Sequence, residues 1–183
     1  GLKKIMHIIF QIIYMLLPCY IATMAPVFAK RLKILKSLDR PIDFNIKIRK
    51  KPLFGRNKTI RGYVVGIIIA IITVYLQTIF YNPNISIIPY PEVNTLLLGF
   101  LFGFGALFGD SVESFIKRQI NIAPGKPFIP FDDIDAVIGT LLFVSIINPF
   151  TTKIFIIAII LTFVLTVLTN LIGYLLGIKE VWW

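Results

Sequence analysis

A dense run of ionisable side chains, Gly109 to Arg118 (GDSVESFIKR), directly follows a glycine-rich apolar segment. If the run is a helix with 3.6 residues per turn, its polar members fall within an arc of roughly 140°. Two carboxylates, a hydroxyl and two cations on one helix face suit the binding of a phosphate together with a metal ion. The sequence therefore predicts such a site here, formed by Asp110, Glu113, Ser114, Lys117 and Arg118.

Three more carboxylates open a later apolar run, in the segment FDDID. Pro127 and Pro130 predict an extended backbone just before this segment. Asp132 and Asp135 fall on one face of the helix that follows. Capping of a helix N-terminus explains one of the three carboxylates but leaves two. The five carboxylates of the two segments are Asp110, Glu113, Asp132, Asp133 and Asp135.

Five neighbouring carboxylates repel one another unless cations neutralise them. Carboxylate oxygens are hard ligands, and without His or Cys among them they indicate Mg²⁺. A purely structural ion-pair network with Lys117 and Arg118 is the alternative interpretation.

Composition indicates how these residues are positioned. The 183 residues are 57% hydrophobic and 15% charged, with a mean hydropathy of +0.85, as expected for an integral membrane protein. We predict an all-α membrane protein with five transmembrane helices in a single domain, 1–183. Two polar loops, 29–62 and 109–133, would form a nucleotide site. The predicted spans are 5–28, 63–80, 93–108, 134–147 and 154–176.

The distribution of cations predicts the orientation. The loop 29–62 carries twelve of the 19 lysines and arginines, which favours a cytoplasmic location for it. Five spans then place the N-terminus outside, and the second polar loop and the tail Lys179 to Trp183 inside. Trp182 and Trp183 are predicted to anchor at the interface. We expect a multi-pass protein of the cell membrane whose active site faces the cytoplasm.

Several classes of chemistry are excluded by what the sequence lacks. Cys19 is the only cysteine and His7 the only histidine, so an intrachain disulfide, a zinc site and histidine-based hydrolysis are not expected. The basic loop does not alternate its cations with stacking aromatic residues, and we therefore predict no nucleic-acid binding.

The depth of the third span suggests the kind of reaction. Its apolar part, 93–108, rises roughly 24 Å, slightly less than the hydrocarbon core of about 30 Å. Asp110 should therefore lie near the lipid headgroups. A lipid phosphate and a water-soluble nucleotide could meet at this depth.

The order of these motifs resembles a known signature. The pattern GD, two residues, ES, two residues, KR, followed by a proline-rich turn and D-x-x-D, is similar to that of the CTP-dependent phosphatidate cytidylyltransferases, the CDP-diacylglycerol synthases. The five-span layout and the segment RPIDFNIKIRKKPLFGRNKTIRG resemble their archaeal relatives, the CDP-archaeol synthases.

This resemblance implies that CTP and 2,3-bis-(O-geranylgeranyl)-sn-glycerol 1-phosphate react to give a CDP-activated lipid and pyrophosphate. It implies that Asp110 and Asp132 hold Mg²⁺ with Asp135 nearby, and that Lys117 and Arg118 contact phosphate. Glu113 and Asp133 complete the expected catalytic set. The nucleotide or phosphate pocket is expected to include Phe44, Asn45, Lys51, Lys58, Thr59, Arg61, Gly62 and Ser114.

Two other functions fit parts of the pattern. A cation or proton transporter also keeps carboxylates near its spans, but it would carry them deeper within the apolar runs. A phosphotransferase that consumes a CDP-alcohol also uses Mg²⁺ and several Asp residues, but its longer glycine-containing aspartate signature is not found here. The preference for lipid chains and the oligomeric state are left open.

Overall fold

The computed structural model describes residues 1–177, and five α-helices dominate this part of the chain. A two-stranded antiparallel hairpin, β1 (Lys47–Ile48) with β2 (Lys51–Pro52), lies between the first two helices. The expected all-α membrane fold is thereby confirmed, whereas the expectations for Lys179 to Trp183 fall outside the described residues. The helices are α1 (Leu2–Arg31), α2 (Ile60–Ile79), α3 (Thr95–Gln119), α4 (Phe131–Val144) and α5 (Thr152–Leu175).

The helix bounds differ from the predicted spans at two places that matter for the site. The helix α3 continues through Gln119, so the first part of the predicted loop 109–133 is helical. Lys117 and Arg118 occupy its last turn, where cations interact favourably with the helix dipole. The helix α4 begins three residues before the predicted span and has only 14 residues. Within residues 1–177, four helices are long and apolar enough to cross a membrane, and α4 is not among them.

The helix α3 lies at the centre of the bundle because its glycines allow neighbouring backbones to approach. A Cβ atom on Gly99 would lie 2.5 Å from the Ile71 Cα atom of α2, and one on Gly103 would lie 2.7 Å from the Ile67 Cα atom. On the other side of α3, a Cβ atom on Gly105 would lie 2.9 Å from the Gly139 carbonyl oxygen of α4. Close helix contacts of this kind are typical of membrane bundles.

A proline in α1 leaves a backbone carbonyl without its helical hydrogen bond, and a side chain of α2 supplies the missing donor. Pro18 has no N–H, so it leaves the Tyr14 carbonyl, four residues earlier, without its helical donor. The side-chain amide of Gln77 in α2 donates to that carbonyl oxygen at 2.6 Å. The helix α5 packs mainly on α4 and is tied to α1 by a hydrogen bond between the Tyr20 and Thr162 hydroxyls, 2.8 Å apart.

Candidate functional site

Three carboxylates from two helices meet at one end of the bundle. Ligand oxygens of Asp110 and Glu113, from α3, and of Asp135, from α4, all lie within 4.8 Å of one another. Gly109 makes this meeting possible, because a Cβ atom there would overlap the Asp135 carbonyl oxygen. Without that side chain, the backbone of α4 approaches α3 one residue before Asp110. These three residues are called the acid trio.

Two lysines neutralise part of this negative charge. The Lys58 Nζ atom, one residue before the cap of α2, lies 2.5 Å from the Asp110 Oδ1 atom. Lys117 is buried, and its Nζ atom lies 3.2 Å from the Glu113 Oε1 atom and 2.8 Å from the Asp132 Oδ1 atom. Opposite charges at these distances in a partly buried site interact more strongly than at the surface.

Asp132 is held between a cation and a backbone donor, beside the acid trio. Its Oδ1 atom accepts from Lys117, and its Oδ2 atom accepts from the Phe128 N–H at 2.6 Å. The residue belongs to the first turn of α4, before the apolar run. Partial burial opposes its ionisation, but hydrogen bonds from Glu113, Lys117 and Phe128 outweigh burial, and the pKa of Asp132 is therefore lowered. Asp132 is thus ionised when it pairs with Lys117.

These charged groups line a small opening of about 240 Å³, the acidic cleft. It contains Ser114, whose hydroxyl donates to the Glu113 Oε2 atom at 3.5 Å, and Arg118. The Arg118 Nη1 atom donates to the Ile122 carbonyl oxygen at 2.5 Å, while its buried Nε atom has no hydrogen-bond partner among residues 1–177. The structure therefore brings together most of the residues predicted to be catalytic: Asp110, Glu113, Lys117, Arg118, Asp132 and Asp135.

A larger opening of about 820 Å³, the loop cleft, lies beside the acidic cleft and is lined by the loop between α1 and α2. Gly55, Arg56 and Asn57 line both clefts, so the two adjoin each other. Its volume falls within the range of small-molecule sites, roughly 300–1,000 Å³. Three of the residues predicted to bind a nucleotide or phosphate line it: Asn45, Thr59 and Arg61.

The other residues in the predicted nucleotide pocket occupy different positions. Phe44 is 71% exposed and does not contribute to the lining of the loop cleft. Gly62 lies in the first turn of α2, where a Cβ atom would lie 3.2 Å from Pro26 of α1. Lys51 donates to the Gln119 carbonyl oxygen at 2.5 Å. These assignments stay predictions, and the contacts show that Gly62 and Lys51 also serve the fold.

Asp133 faces a different opening from the acid trio. It lines a cleft of about 230 Å³ with Lys117, Lys126, Asp132 and Asn170. Its predicted catalytic role remains a prediction, because the acid trio is assembled without it.

One buried carboxylate organises the loop and was missed as a candidate. Asp43 is 4% exposed and accepts hydrogen bonds from the backbone N–H groups of Asn45, Phe54 and Gly55, at 2.9, 2.9 and 3.2 Å. Phe44 and Asn45 have positive φ angles, so the chain turns sharply here. The signal available in the sequence was the aspartate itself, because aspartate side chains in turns often accept from the backbone N–H two residues on.

A hydroxyl pair connects α2, which begins just after Lys58, with α3, which carries Asp110. The Tyr63 hydroxyl of α2 and the Ser111 hydroxyl of α3 lie 2.6 Å apart, and the Leu107 carbonyl oxygen lies within hydrogen-bond distance of each, at 3.0 and 2.9 Å. Ser111 is fully buried. The pair therefore fixes α2 against α3 within one turn of Asp110, and no sequence pattern indicated it.

We expect Tyr63→Phe to lower the free energy of unfolding by about 1 kcal/mol, because the hydroxyl link between α2 and α3 is lost. Thermal unfolding of the detergent-solubilised protein measures the effect. Tyr75→Phe is the matched control, since Tyr75 lies on the same helix and is 57% exposed. Equal stability of the two variants would show that the link does not hold the helices together.

An apolar opening of about 270 Å³, the apolar groove, runs between α3 and α4 towards the acid trio. Glu113 and Asp135 line both the apolar groove and the acidic cleft, so the two openings meet at these carboxylates. The apolar lining includes Phe108, Val112, Ile116, Phe131, Ile138 and Leu142. An amphiphile could therefore reach the charged site with its chain on the apolar side.

The fold and the site together define a multi-pass membrane protein with a charged site between aqueous clefts and an apolar groove. The family model described as CarS-like, CDP-archaeol synthase, matches residues 5–183. A CDP-archaeol synthase of Methanocaldococcus jannaschii is 35% identical over 182 residues, which cover 97% of this chain and 98% of that protein. One of Archaeoglobus fulgidus is 34% identical over 187 residues, with 97% and 99% covered. The chain belongs to the CDP-archaeol synthase family.

A solved structure supports the fold independently. It is described as an intramembrane enzyme for archaeal membrane lipid biosynthesis, and it matches with a TM-score of 0.69 at 24% identity, covering 86% of this chain and 91% of that one. The family membership confirms the enzyme class expected from the sequence, a CTP-dependent cytidylyltransferase that joins a nucleotide to a lipid. The transport alternative is not supported.

Proposed function

We propose that this protein transfers the cytidylyl group of CTP to 2,3-bis-(O-geranylgeranyl)-sn-glycerol 1-phosphate, forming the CDP-activated lipid and pyrophosphate. One observation carries the proposal: the acid trio lies where the apolar groove meets the acidic cleft, and the loop cleft adjoins the acidic cleft at Gly55, Arg56 and Asn57. A reaction between a lipid phosphate and a water-soluble nucleotide needs a charged site with both kinds of access.

The acid trio fits a divalent cation. Its members offer hard oxygen ligands from Asp110, Glu113 and Asp135 within 4.8 Å of one another, which suits Mg²⁺. A bound metal ion would neutralise negative charge on the phosphates during the reaction. The sequence assigned Asp132 to the metal in place of Glu113, whereas the geometry favours Glu113 as ligand and Asp132 as the partner of Lys117.

The reaction needs no protein nucleophile. An oxygen of the lipid phosphate is already anionic, so it forms a bond to the α-phosphorus directly. The bond from that phosphorus to the bridging oxygen of the β-phosphate breaks, and its electron pair leaves with pyrophosphate. Catalysis then consists of positioning the reactants and stabilising their charge. Lys58, Lys117 and Arg118, which line the acidic cleft, are the cations proposed to contact phosphate oxygens.

The nucleoside end of CTP is proposed to occupy the loop cleft. Arg61 supports this assignment, because it is 4% exposed and fixed by the Asp39 carboxylate, with its Nη2 atom 2.9 Å from the Asp39 Oδ1 atom. Asn45 and Thr59 line the same cleft. A rigid polar wall of this kind suits recognition of a base and ribose.

We also propose that the site faces the cytoplasm of the cell membrane, with the N-terminus outside. The twelve cations of the loop 29–62 support this orientation. CTP is available on that side.

The direct test is an assay with radiolabelled CTP and two lipids, the prenylated glycerol phosphate and phosphatidate. With CTP labelled in its cytidine moiety, the expected result is labelled lipid in the organic phase and release of pyrophosphate. In a parallel reaction with added CDP-lipid, release of CMP without CDP-lipid synthesis from CTP would instead identify a phosphotransferase. Absence of labelled lipid with both substrates would overturn the proposal.

We expect Val112→Trp to raise KM for the lipid about tenfold or more, because the indole would fill the apolar groove beside Glu113. KM for CTP should stay unchanged. Initial rates at varied lipid in mixed micelles measure the effect. Ile172→Trp on α5 is the control, since Ile172 is exposed and outside the groove. Equal lipid KM values in the two variants would exclude the groove as the path of the lipid chain.

A further inference from the structure

An opening of about 500 Å³, the cationic cleft, is lined by the hairpin β1–β2 and by the chain that follows α3. Its lining contains four cationic side chains and no carboxylate. Within residues 1–177, none of the four forms a salt bridge. The acidic cleft differs, because its lining holds as many carboxylates as cations. The four cations of the cationic cleft are Lys50, Lys51, Arg56 and Arg118.

The cationic cleft adjoins the acidic cleft. Both are lined by the segment Gly55 to Asn57, by Arg118 and by Pro124. At Gly55, which lines both clefts, an added Cβ atom would meet only the Arg118 Nε atom, at 3.9 Å. That Nε atom is buried and lacks a hydrogen-bond partner in the described chain, although a guanidinium N–H is a strong donor. An anion leaving the acidic cleft would satisfy it.

The apolar groove and the cationic cleft both adjoin the acidic cleft but share no lining residue. A displacement at phosphorus proceeds with the attacking and leaving oxygens roughly in line. The lipid phosphate, arriving from the apolar groove, and the departing pyrophosphate therefore need separate sides of the site. The cationic cleft provides a second side, and its charge matches that of the leaving group.

We propose that the cationic cleft binds the pyrophosphate product and conducts it from the acidic cleft to water. This inference rests on the proposed cytidylyl transfer, which releases pyrophosphate when the bond between the α- and β-phosphates breaks. Lys and Arg side chains without carboxylate partners form charge-assisted hydrogen bonds to phosphate oxygens. Lys50 lines the cationic cleft and neither the acidic cleft nor the loop cleft.

The hairpin offers a matched pair of variants. Arg49 and Lys50 form its two-residue turn, and their φ angles are 50° and 67°. Asparagine tolerates this left-handed conformation, so Lys50→Asn and Arg49→Asn each remove one charge with little backbone strain. Arg49 does not line the cationic cleft. The two variants thus have the same net charge and differ in whether the lost cation faces the cleft.

We expect Lys50→Asn to raise the inhibition constant of pyrophosphate about 5- to 10-fold, the scale of one lost charge-assisted contact. KM for CTP and kcat without added pyrophosphate should not change, and Arg49→Asn should match the unsubstituted protein. An equal rise in the KM for CTP would place Lys50 on the bound triphosphate and overturn the proposal. Equal inhibition constants in the two variants would also overturn it.

Direct binding separates this inference from the proposed function. Equilibrium dialysis of the detergent-solubilised protein with ³²P-labelled pyrophosphate should show binding that Lys50→Asn weakens and Arg49→Asn does not. If no CDP-lipid forms but this binding pattern is present, the proposed reaction fails while the anion site stands. If CDP-lipid forms but pyrophosphate does not bind, the inference fails and the proposed reaction stands.

Discussion

Asp110→Asn is expected to lower kcat at least about 10²-fold, the scale of removing one electrostatic contributor from an active site. Asp110 belongs to the acid trio, and its carboxylate also holds Lys58 at 2.5 Å. Asparagine keeps the size of the side chain but lacks its charge. The substitution therefore removes one anionic ligand and frees Lys58 from its partner in a single step.

Transfer of label from CTP to lipid at saturating Mg²⁺ measures this loss. Glu92→Gln is the control. Glu92 lies in a short 3-10 helix between α2 and α3, before the N-terminus of α3, whereas Asp110 lies in the C-terminal half of α3. This control should retain full activity. Near-normal turnover of Asp110→Asn at saturating Mg²⁺ would show that Asp110 neither binds the metal nor positions Lys58.

The helices were the part of the fold most readily predicted from the sequence. Long apolar runs bounded by charge give α1, α2 and α5 almost directly, because the membrane requires such runs. The bounds of α4 were harder to predict, since its first turn contains the carboxylates of Asp132 and Asp133. Hydropathy ends a span at charged residues, whereas a helix N-terminus accepts them.

Helical periodicity predicted that Asp110 and Glu113 share a face, because both lie on one helix. The distance between α3 and α4 could not be obtained in this way. It depends on Gly109 and Gly105, which let the backbone of α4 approach, and this contact brings Asp135 within 4.8 Å of both Asp110 and Glu113. Contacts between separate segments follow from packing, which one sequence does not reveal.

The loop between α1 and α2 illustrates a second limit. Its cations were evident, but their partners were not. Arg61 pairs with Asp39, and Lys58 pairs with Asp110. The carboxylate of Asp43 accepts from backbone N–H groups and pairs with no cation of the described chain. Lys50 has no such partner among residues 1–177. The sequence shows twelve similar charges in this loop, and only the folded chain separates those that are neutralised from those left to bind anions.

Asp132→Asn is also expected to lower kcat at least about 10²-fold, but for a different reason from Asp110→Asn. The Asp132 carboxylate holds Lys117 at 2.8 Å and the Phe128 N–H at 2.6 Å. We assign it as a positioning residue that fixes Lys117 beside Glu113. Asparagine has no charge and one acceptor oxygen in place of two, so it cannot bind Lys117 and the Phe128 N–H through separate oxygens, and Glu113 is left as the anionic partner of Lys117.

A Mg²⁺ titration distinguishes this role from the metal-binding role predicted by the sequence. Asp132→Asn should leave the midpoint of Mg²⁺ activation unchanged, whereas Asp135→Asn, three residues along the same helix, should raise it about tenfold or more, because affinity for a hard cation depends on the number of charged ligands. The two variants carry the same chemical change on one face of α4. If Asp132→Asn raises the midpoint as much as Asp135→Asn does, Asp132 is a metal ligand, as the sequence predicted, and its assignment as a positioning residue is wrong.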